Sequence, residues 1–223
     1  MKTILRSVIA SLVLLPAIAF AAKFEGKVTF KVNAGKETFD MVQSVKDNMM
    51  RQDMNMAKGS GASIVDMKNM KTIVIMDQMK MYMSIDMNKA AEKAGKEEDV
   101  KIEKTSDTEK ILGYTATKYL VSAKEGVTEL WLTEALGGYI APASNPMGGK
   151  SSAPAAWARV FAGKELFPLR IVTKGKNGKE TYRMEATAIE KQKLPDTLFA
   201  IPEGYSEFSM GNMMKGMIPG FGR

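Results

Sequence analysis

Apolar and polar side chains alternate with a period of two along most of this chain. In residues 23–34, KFEGKVTFKVNA, the apolar side chains of Phe24, Phe30 and Val32 fall on one face, and charged or polar side chains fill the other. Alternation of this kind is typical of an antiparallel strand with one buried face. The pattern predicts a half-buried strand here, and the same period recurs in most of the segments that follow.

The first third of the chain is predicted to form a meander of five to six short strands. Its second strand carries Phe39 and Met41 on one side, and its last strand spans MDQMKMYMSIDM, residues 76–87. The apolar residues that share a face of this last strand are Met79, Met81, Met83, Ile85 and Met87. Turn residues separate the strands, as hairpin connections require.

Five further strands are predicted in the rest of the chain. Three lie within residues 100–134 and two within residues 167–191. The last two are joined at Asn177-Gly178, which is the strongest hairpin signal in the chain because alternating segments flank it.

Two short helices, one long loop and a tail complete the predicted elements. Helix-forming residues predict a helix near Met87 to Lys96, and AWARVFAG, residues 156–163, predicts a second. Residues 136–156 are rich in Gly, Pro, Ser and Ala and form a candidate lid or rim. The Met- and Gly-rich tail, residues 209–223, is expected either to be disordered or to fold back over an apolar groove.

About ten one-sided strands cannot leave their apolar face in water, so the sheet must close on itself or be covered. The predicted fold class is all-β, with a curved antiparallel sheet that forms a half-open barrel and a few short helices as plug or lid. A single domain over residues 22–208 is long enough to contain all of these elements and one sizeable core.

The N-terminus has the features of a signal peptide. Lys2 and Arg6 give a positive start, an apolar run follows, and Ala19-Phe20-Ala21 matches a small-residue cleavage site. We therefore predict a cleaved signal peptide at residues 1–21 and a mature protein in the periplasm that does not span the membrane. The alternative, an uncleaved anchor, is disfavoured because the apolar run is short for a transmembrane helix.

Charge and composition exclude several classes of function. The formal net charge is +7, but basic and acidic residues are interspersed and no basic run contains aromatic residues, so nucleic-acid binding is not expected. Cysteine and histidine are absent, which removes the commonest general base and metal ligand. The motifs G-x-S-x-G, S-x-x-K and H-E-x-x-H are also absent. We predict that the protein is not an enzyme and has no cofactor.

Two segments carry a resemblance to a known family. Residues 110–138 contain I-L-G-Y-x-x-x-K-Y and then T-E-x-W-x-T, and residues 167–208 contain F-P-L and then L-x-D-x-x-F-x-x-P-x-G-Y. In these motifs the chain resembles the bacterial secreted proteins known as domain of unknown function 4412. That family is similar in turn to the periplasmic lipoprotein carriers and acceptors LolA and LolB. The resemblance covers nearly the whole mature chain.

The resemblance to LolA and LolB implies a half-open barrel in which helices close a cavity for acyl chains. The carriers latch their lid with one arginine, and no arginine of this chain can be assigned to that role from its motif. The candidates are Arg51, Arg159, Arg170 and Arg183.

The methionines are the strongest indication of a ligand. Twelve of the nineteen lie between Met41 and Met87, and this unbranched, polarizable side chain suits a cavity that accepts varied apolar groups. We predict a lipid, a lipoprotein acyl chain or another apolar ligand, with an envelope protein as a further candidate partner. The residues predicted to line the cavity are Phe30, Phe39, Met41, Met79, Met81, Met83, Ile85 and Trp131.

Two other uses of the methionines stay open. Thioethers bind Cu(I), and they are the only soft donors in a chain without Cys or His, so a Cu(I)- or Ag(I)-binding envelope protein is the alternative. The metal ligands would then be Met54, Met56, Met79, Met81 and Met83. Methionine also fills gaps in ordinary cores, and in that case the chain would be a structural or protein-interaction protein of the envelope without a ligand.

Overall fold

The structure is a computed structural model that describes residues 24–56, 59–89, 100–124, 126–139 and 164–208. Within these residues the chain forms twelve strands that belong to one sheet. The strands are β1 (Gly26–Ala34), β2 (Glu37–Lys46), β3 (Met49–Met56), β4 (Gly59–Asp66), β5 (Lys71–Met76), β6 (Met81–Asp86), β7 (Lys101–Ile111), β8 (Tyr114–Ala123), β9 (Gly126–Thr133), β10 (Phe167–Gly175), β11 (Glu180–Lys191) and β12 (Ser206–Glu207). The all-β class predicted from the period of two is confirmed.

The sheet consists of two meanders that meet at the β1–β11 pair. Its strand order is β12-β6-β5-β4-β3-β2-β1-β11-β10-β9-β8-β7, so the sheet formed by the described strands is open at β12 and β7. Neighbouring strands run antiparallel, except that β12 is parallel to β6. The meander predicted for the first third of the chain is confirmed as β1 to β6. The predicted hairpin at Asn177-Gly178 joins β10 to β11, and Gly178 adopts a φ of 75° there, which glycine reaches without a steric penalty.

The larger hydrophobic core lies on one face of the sheet, which we call the inner face. The ring of Phe30 on β1 stacks on that of Phe167 on β10, with centroids 6.2 Å apart. Tyr139, six residues after the end of β9, meets Phe167 edge-on at 5.7 Å. Burial raises the pKa of the Tyr139 hydroxyl. The chain that leaves β9 therefore covers the centre of the inner face.

A second, smaller core lies on the opposite face, which we call the outer face, over β4, β5 and β6. The chain that follows β11, residues 192–208, crosses this face as a strap that contains a 3-10 helix, Asp196–Phe199, and ends in β12. We call residues 192–208 the C-terminal strap. The buried members of this core are Ala62, Ile64, Ile75, Leu194 and Phe199.

Polar contacts also attach the C-terminal strap to the sheet. The Lys46 ammonium donates to the Leu194 carbonyl at 2.7 Å and to the Asp196 carboxylate at 2.6 Å. Further along, the Arg51 guanidinium donates to the Leu198 carbonyl at 3.0 Å. Each of these cations reaches the outer face from β2 or β3, so the strap is fixed along its length by groups that the sequence analysis did not connect with it.

Several predicted elements lie partly or wholly outside the described residues. The predicted helix at residues 87–96 begins as expected, with residues 87–89 helical, and the rest of it falls outside. The signal peptide, most of the loop at residues 136–156, the helix at residues 156–163 and the tail at residues 209–223 also fall outside. In the part of the chain that is described, no helix has both the length and the apolar character needed to cross a membrane.

Candidate ligand-binding face

The strand register places the methionines of β2, β5 and β6 on the inner face. Side chains that stand directly opposite each other on paired strands point to the same side of a sheet. Met41 stands opposite Phe30, and Met76 stands opposite Met81. Counting across the strands, this row of register positions runs through Phe30, Met41, Met54, Gly61, Met76 and Met81. Methionine thus recurs on the inner face from its centre to the β6 edge.

The exposure of these side chains changes along the row. Phe30 is fully buried and Met41 is 3% exposed, so the centre is closed. Toward the edge the apolar side chains that β5 and β6 direct to the inner face are only half-buried. They form a continuous apolar surface, which we call the β5–β6 patch: Val74, Met76, Met81, Met83 and Ile85. A patch of this kind on the surface of a protein often marks a binding site.

The predicted cavity residues are distributed over both zones. Phe30 and Met41 lie in the closed centre, and Phe39 is half-buried beside it. Met81, Met83 and Ile85 lie in the β5–β6 patch, so the structure brings these three together on one surface.

The prediction that Met79 belongs to this strand is wrong. Met79 ends a 3-10 helix, Asp77–Met79, and its side chain is 52% exposed. The next residue, Lys80, has a φ of 49° and a left-handed conformation. A strand cannot continue through that backbone, so the methionine alternation passes through the turn between β5 and β6 without a common face.

Trp131 is placed on the outer face instead of the inner one. Its neighbours on β9, Leu130 and Leu132, are buried in the inner core, and successive side chains of a strand point to opposite sides. The Trp131 ring lies between two cations, with the Lys118 ammonium 5.7 Å and the Arg170 guanidinium 5.8 Å from its centroid. Contact with a cation on an aromatic face is favourable, and it explains why Trp131 is tolerated on the charged side of the sheet.

The outer face around Trp131 is a network of paired charges. Arg170 donates to both oxygens of Glu109, at 2.8 and 3.0 Å, and to Glu185 at 2.8 Å. Lys174 donates to Glu129 at 2.5 Å. The hydrogen bond from Arg170 lowers the pKa of Glu109, and the hydrogen bond from Lys174 lowers the pKa of Glu129. Each of these charged groups has a partner of opposite charge within the network, which is typical of a solvated surface with a structural role.

The same contacts bear on the arginines considered for a lid. Arg51 donates to Asp53 and to the C-terminal strap. Arg170 and Arg183 belong to the outer charge network, where both contact Glu185. None of these three reaches across the inner face in the part of the chain that is described, and Arg159 lies outside that part.

The inner face also carries polar side chains that the sequence analysis did not single out. Gln43 on β2, Gln52 on β3 and Ser63 on β4 stand directly opposite one another and are 0%, 5% and 4% exposed. The Gln43 amide donates to the sulfur of Met50, and the Gln52 amide donates to the sulfur of Met41. The motif Met-x-Gln, repeated at residues 41–43 and 50–52, is the sequence signal that could have revealed this pair.

These contacts limit where a soft metal could bind. The sulfurs of Met41 and Met50 already accept amide hydrogens. Met54 and Met56 lie on β3, and their side chains lie outside the described part of the structure. Thioethers remain available in the β5–β6 patch, where Met76 faces Met81 across the strands. Among the described residues, no group of three or more Asp or Glu residues could hold a metal ion.

A separate cleft of about 480 Å³ lies at the other flank of the sheet. Its lining residues are Lys104, Gly113, Tyr114, Thr115, Thr117, Tyr119, Leu132, Thr133, Glu134, Ala135 and Leu166. The Lys104 ammonium lies 5.8 Å from the Tyr119 ring centroid. Threonine, lysine and tyrosine give this cleft a mixed character, unlike the apolar β5–β6 patch.

These features define a class of protein built on one wide antiparallel sheet with an apolar, methionine-rich inner face. Residues 24–205 match the family described as domain of unknown function (DUF4412). The chain belongs to this family, as predicted from its motifs. No match was found among curated proteins.

Comparison with solved structures shows the fold. A conserved uncharacterized protein from Thermus thermophilus has a TM-score of 0.54 at 9% identity, with 84% of this chain and 91% of that chain covered. PNGF-II has a TM-score of 0.51 at 16% identity, and the match covers 86% of this chain but only 32% of that one. A domain assigned to outer membrane lipoprotein sorting in Vibrio parahaemolyticus matches at a TM-score of 0.27 and 8% identity, over 78% of this chain and 87% of that chain. The first two matches show that this type of sheet recurs in proteins of very different sequence.

Proposed function

We propose that this chain is an exported, non-enzymatic binding protein that holds a lipid or acyl chain against the inner face of its sheet. The observation that carries the proposal is the β5–β6 patch, a half-buried apolar surface that continues into the buried methionine and phenylalanine core. A ligand that covers the patch removes apolar surface from water without any need for a catalytic group.

The free energy gained by burying an acyl chain on the patch is large enough for useful affinity. Burial of each methylene contributes about 0.8 kcal/mol, so eight methylenes contribute roughly 6 kcal/mol before the entropy lost on binding is subtracted. Methionine side chains have three rotatable bonds and adapt to chains of different shape. The β5–β6 patch therefore suits a flexible acyl chain better than a rigid ligand that needs fixed polar contacts.

The experiment compares one substitution at two methionines. Met83→Asp places a carboxylate in the β5–β6 patch, whereas Met70→Asp places it at a turn residue that is 38% exposed and outside the patch. We expect purified wild type to release lipid on denaturation, detected by mass spectrometry, and to bind a fluorescent fatty acid in titration. Met83→Asp should weaken that binding at least tenfold because a charge in an apolar site is poorly tolerated, and Met70→Asp should leave it unchanged.

The proposal fails if wild type neither releases lipid nor binds the fatty acid, or if both variants bind as wild type does. In that case an interaction with an envelope protein becomes the leading explanation for the apolar patch. Export itself is tested separately. N-terminal sequencing of the protein recovered from the periplasm should begin at Ala22, the residue after the proposed cleavage site.

The alternative function is Cu(I) or Ag(I) binding, and one observation favours it. Met76 and Met81 are directly opposed on β5 and β6, and Met83 shares their face, so three thioethers lie near one another. A copper site would take Cu(I) from a competing chelator and lose it in the Met81→Leu, Met83→Leu double variant. The same double variant keeps the apolar surface, so fatty-acid binding that persists in it supports the lipid proposal against the metal.

A further inference from the structure

Buried polar oxygens without partners are concentrated on the inner face. Among the described residues, five buried side-chain oxygens have no hydrogen-bond partner, and four of them belong to residues on this face. They are Gln43 Oε1, Gln52 Oε1, Ser63 Oγ and Thr72 Oγ1. A buried polar group without a partner is destabilising, and each such group in a native protein calls for an explanation.

The four groups form one connected polar stripe. Gln43, Gln52 and Ser63 stand opposite one another on adjacent strands. Thr72 lies next to them, because it pairs with Val65, two residues after Ser63. With strands about 4.8 Å apart, the stripe covers roughly 14 Å from β2 to β5. Wholly apolar side chains at these positions would cover the same sheet without unpaired groups, so the stripe does not follow from the needs of the core.

The two glutamines are related by the local two-fold symmetry of an antiparallel strand pair. Each amide reaches diagonally to the methionine that precedes the other glutamine by two residues, Gln43 to Met50 and Gln52 to Met41. A thioether is a weak acceptor, so these contacts hold the amides in place without using their full hydrogen-bonding capacity. The carbonyl oxygens of both amides have no donor among the described residues.

The stripe leads to the proposed ligand site. Ser63 stands opposite Val74, and Val74 stands opposite Met83, so the row that begins at Gln43 ends in the half-buried β5–β6 patch. A chain that enters over the patch passes Ser63 first, and it reaches the amides of Gln52 and Gln43 when the flexible Met41 and Met50 side chains rotate aside. A hydroxyl on that chain can donate to an amide oxygen and accept from an amide nitrogen at the same position.

We infer that the ligand is an acyl chain that carries a hydroxyl group, and that Gln43 and Gln52 recognise this hydroxyl inside the apolar site. The inference rests on the proposed function and adds the chemical class of the ligand. A site with buried hydrogen-bonding groups discriminates against an analogue that lacks the matching group, because the protein groups are then left unpaired.

The experiment measures the competition of three chains with a bound fluorescent fatty acid. The chains are tetradecanoic acid, β-hydroxytetradecanoic acid and ω-hydroxytetradecanoic acid, which differ only in the presence and position of the hydroxyl. We expect wild type to bind at least one hydroxylated chain about three- to tenfold more tightly than the parent acid, which is the usual range for one hydrogen bond. The Gln43→Met, Gln52→Met double variant should bind all three chains with equal affinity.

A matched control and a second readout accompany the double variant. Ser44→Ala removes the fifth unpaired buried oxygen, which belongs to a residue on the outer face opposite Arg51, and it should retain the preference. In wild type, the side-chain amide NMR signals of Gln43 and Gln52 should shift with the hydroxylated chain and not with the parent acid, a measurement that needs no substitution.

The possible results separate the two proposals. If wild type binds all three chains equally, or the double variant keeps the preference, the inference is overturned while lipid binding stands. If wild type binds none of the chains, the inference and the proposed function both fail.

Discussion

The C-terminal strap should contribute to the stability of the whole sheet through Phe199. This residue lies in the 3-10 helix of the strap and is 8% exposed, packed in the outer core with Ile64 and Ile75. The same core includes Leu194, also from the strap. Truncation of Phe199 to alanine therefore removes the largest buried side chain that the strap contributes to the outer core.

The magnitude follows from the buried area. A buried aromatic side chain removes about 150–250 Å² from water, which at about 25 cal/mol per Å² gives roughly 4–6 kcal/mol as an upper bound. Alanine retains part of that area, and measured Phe→Ala changes in cores are about 3–5 kcal/mol. Since several residues packed around this small core are only half-buried, we expect Phe199→Ala to lower the free energy of unfolding by about 3 kcal/mol.

Urea unfolding followed by circular dichroism measures this change, with Thr197→Ala as the control. Thr197 belongs to the same 3-10 helix but is exposed, so its truncation should change stability by less than about 0.5 kcal/mol. Hydrogen exchange adds a local test, because the Ser206 amide donates to the Lys80 carbonyl at 3.0 Å and should exchange faster in Phe199→Ala. A loss below about 1 kcal/mol, with unchanged exchange, would refute the assigned role of the strap.

Three further predictions concern the rest of the sheet. Arg170→Lys should lower the free energy of unfolding by about 1 kcal/mol in urea, because lysine cannot keep the two-pronged contact with Glu109; equal stability would show that the contact is immaterial. The pKa values of Glu109 and Glu129 are lowered by their hydrogen bonds to Arg170 and Lys174. Their contribution to stability is therefore present above the ordinary value of 4.5 and is lost as the pH falls through the lowered values. Urea titrations at pH values above and below 4.5 test this, and stability that is constant or rises toward acid would contradict it. Gly26→Ala should destabilise the β1–β11 pair by about 2 kcal/mol or more, because a Cβ there would lie 2.1 Å from a backbone oxygen of β11; a thermal melt like that of wild type would contradict the register.

The local pattern of the sequence was sufficient to predict the strands and to assign the family. Each strand of the first meander has an alternating or apolar segment with turn residues on both sides, so its position follows from neighbours in sequence. Asn177-Gly178 specified its hairpin for the same reason. The motifs at residues 110–138 and 167–208 lie in the strands, turns and strap of this fold, which is why they were enough to assign the family.

The candidate site was predicted only in part. Met81, Met83 and Ile85 follow the strand period and share a surface, as expected. Met79 follows the same spacing but lies in a turn, because Lys80 takes a left-handed conformation that a period of two does not reveal. For Trp131, alternation shows that its side chain points to the other side of the sheet from that of Leu130. Which of the two sides carries the core depends on how the strand pairs with β10.

Hydrophobic alternation, turn residues and motifs reside in short stretches of the chain, and they specified the class of fold, its hairpins and its family. Contacts between residues far apart in sequence were decided by folding alone. The junction of β1 with β11 and the passage of residues 192–208 over the outer face belong to this second group. Each depends on register between strands, and register is set by the packing of the complete sheet.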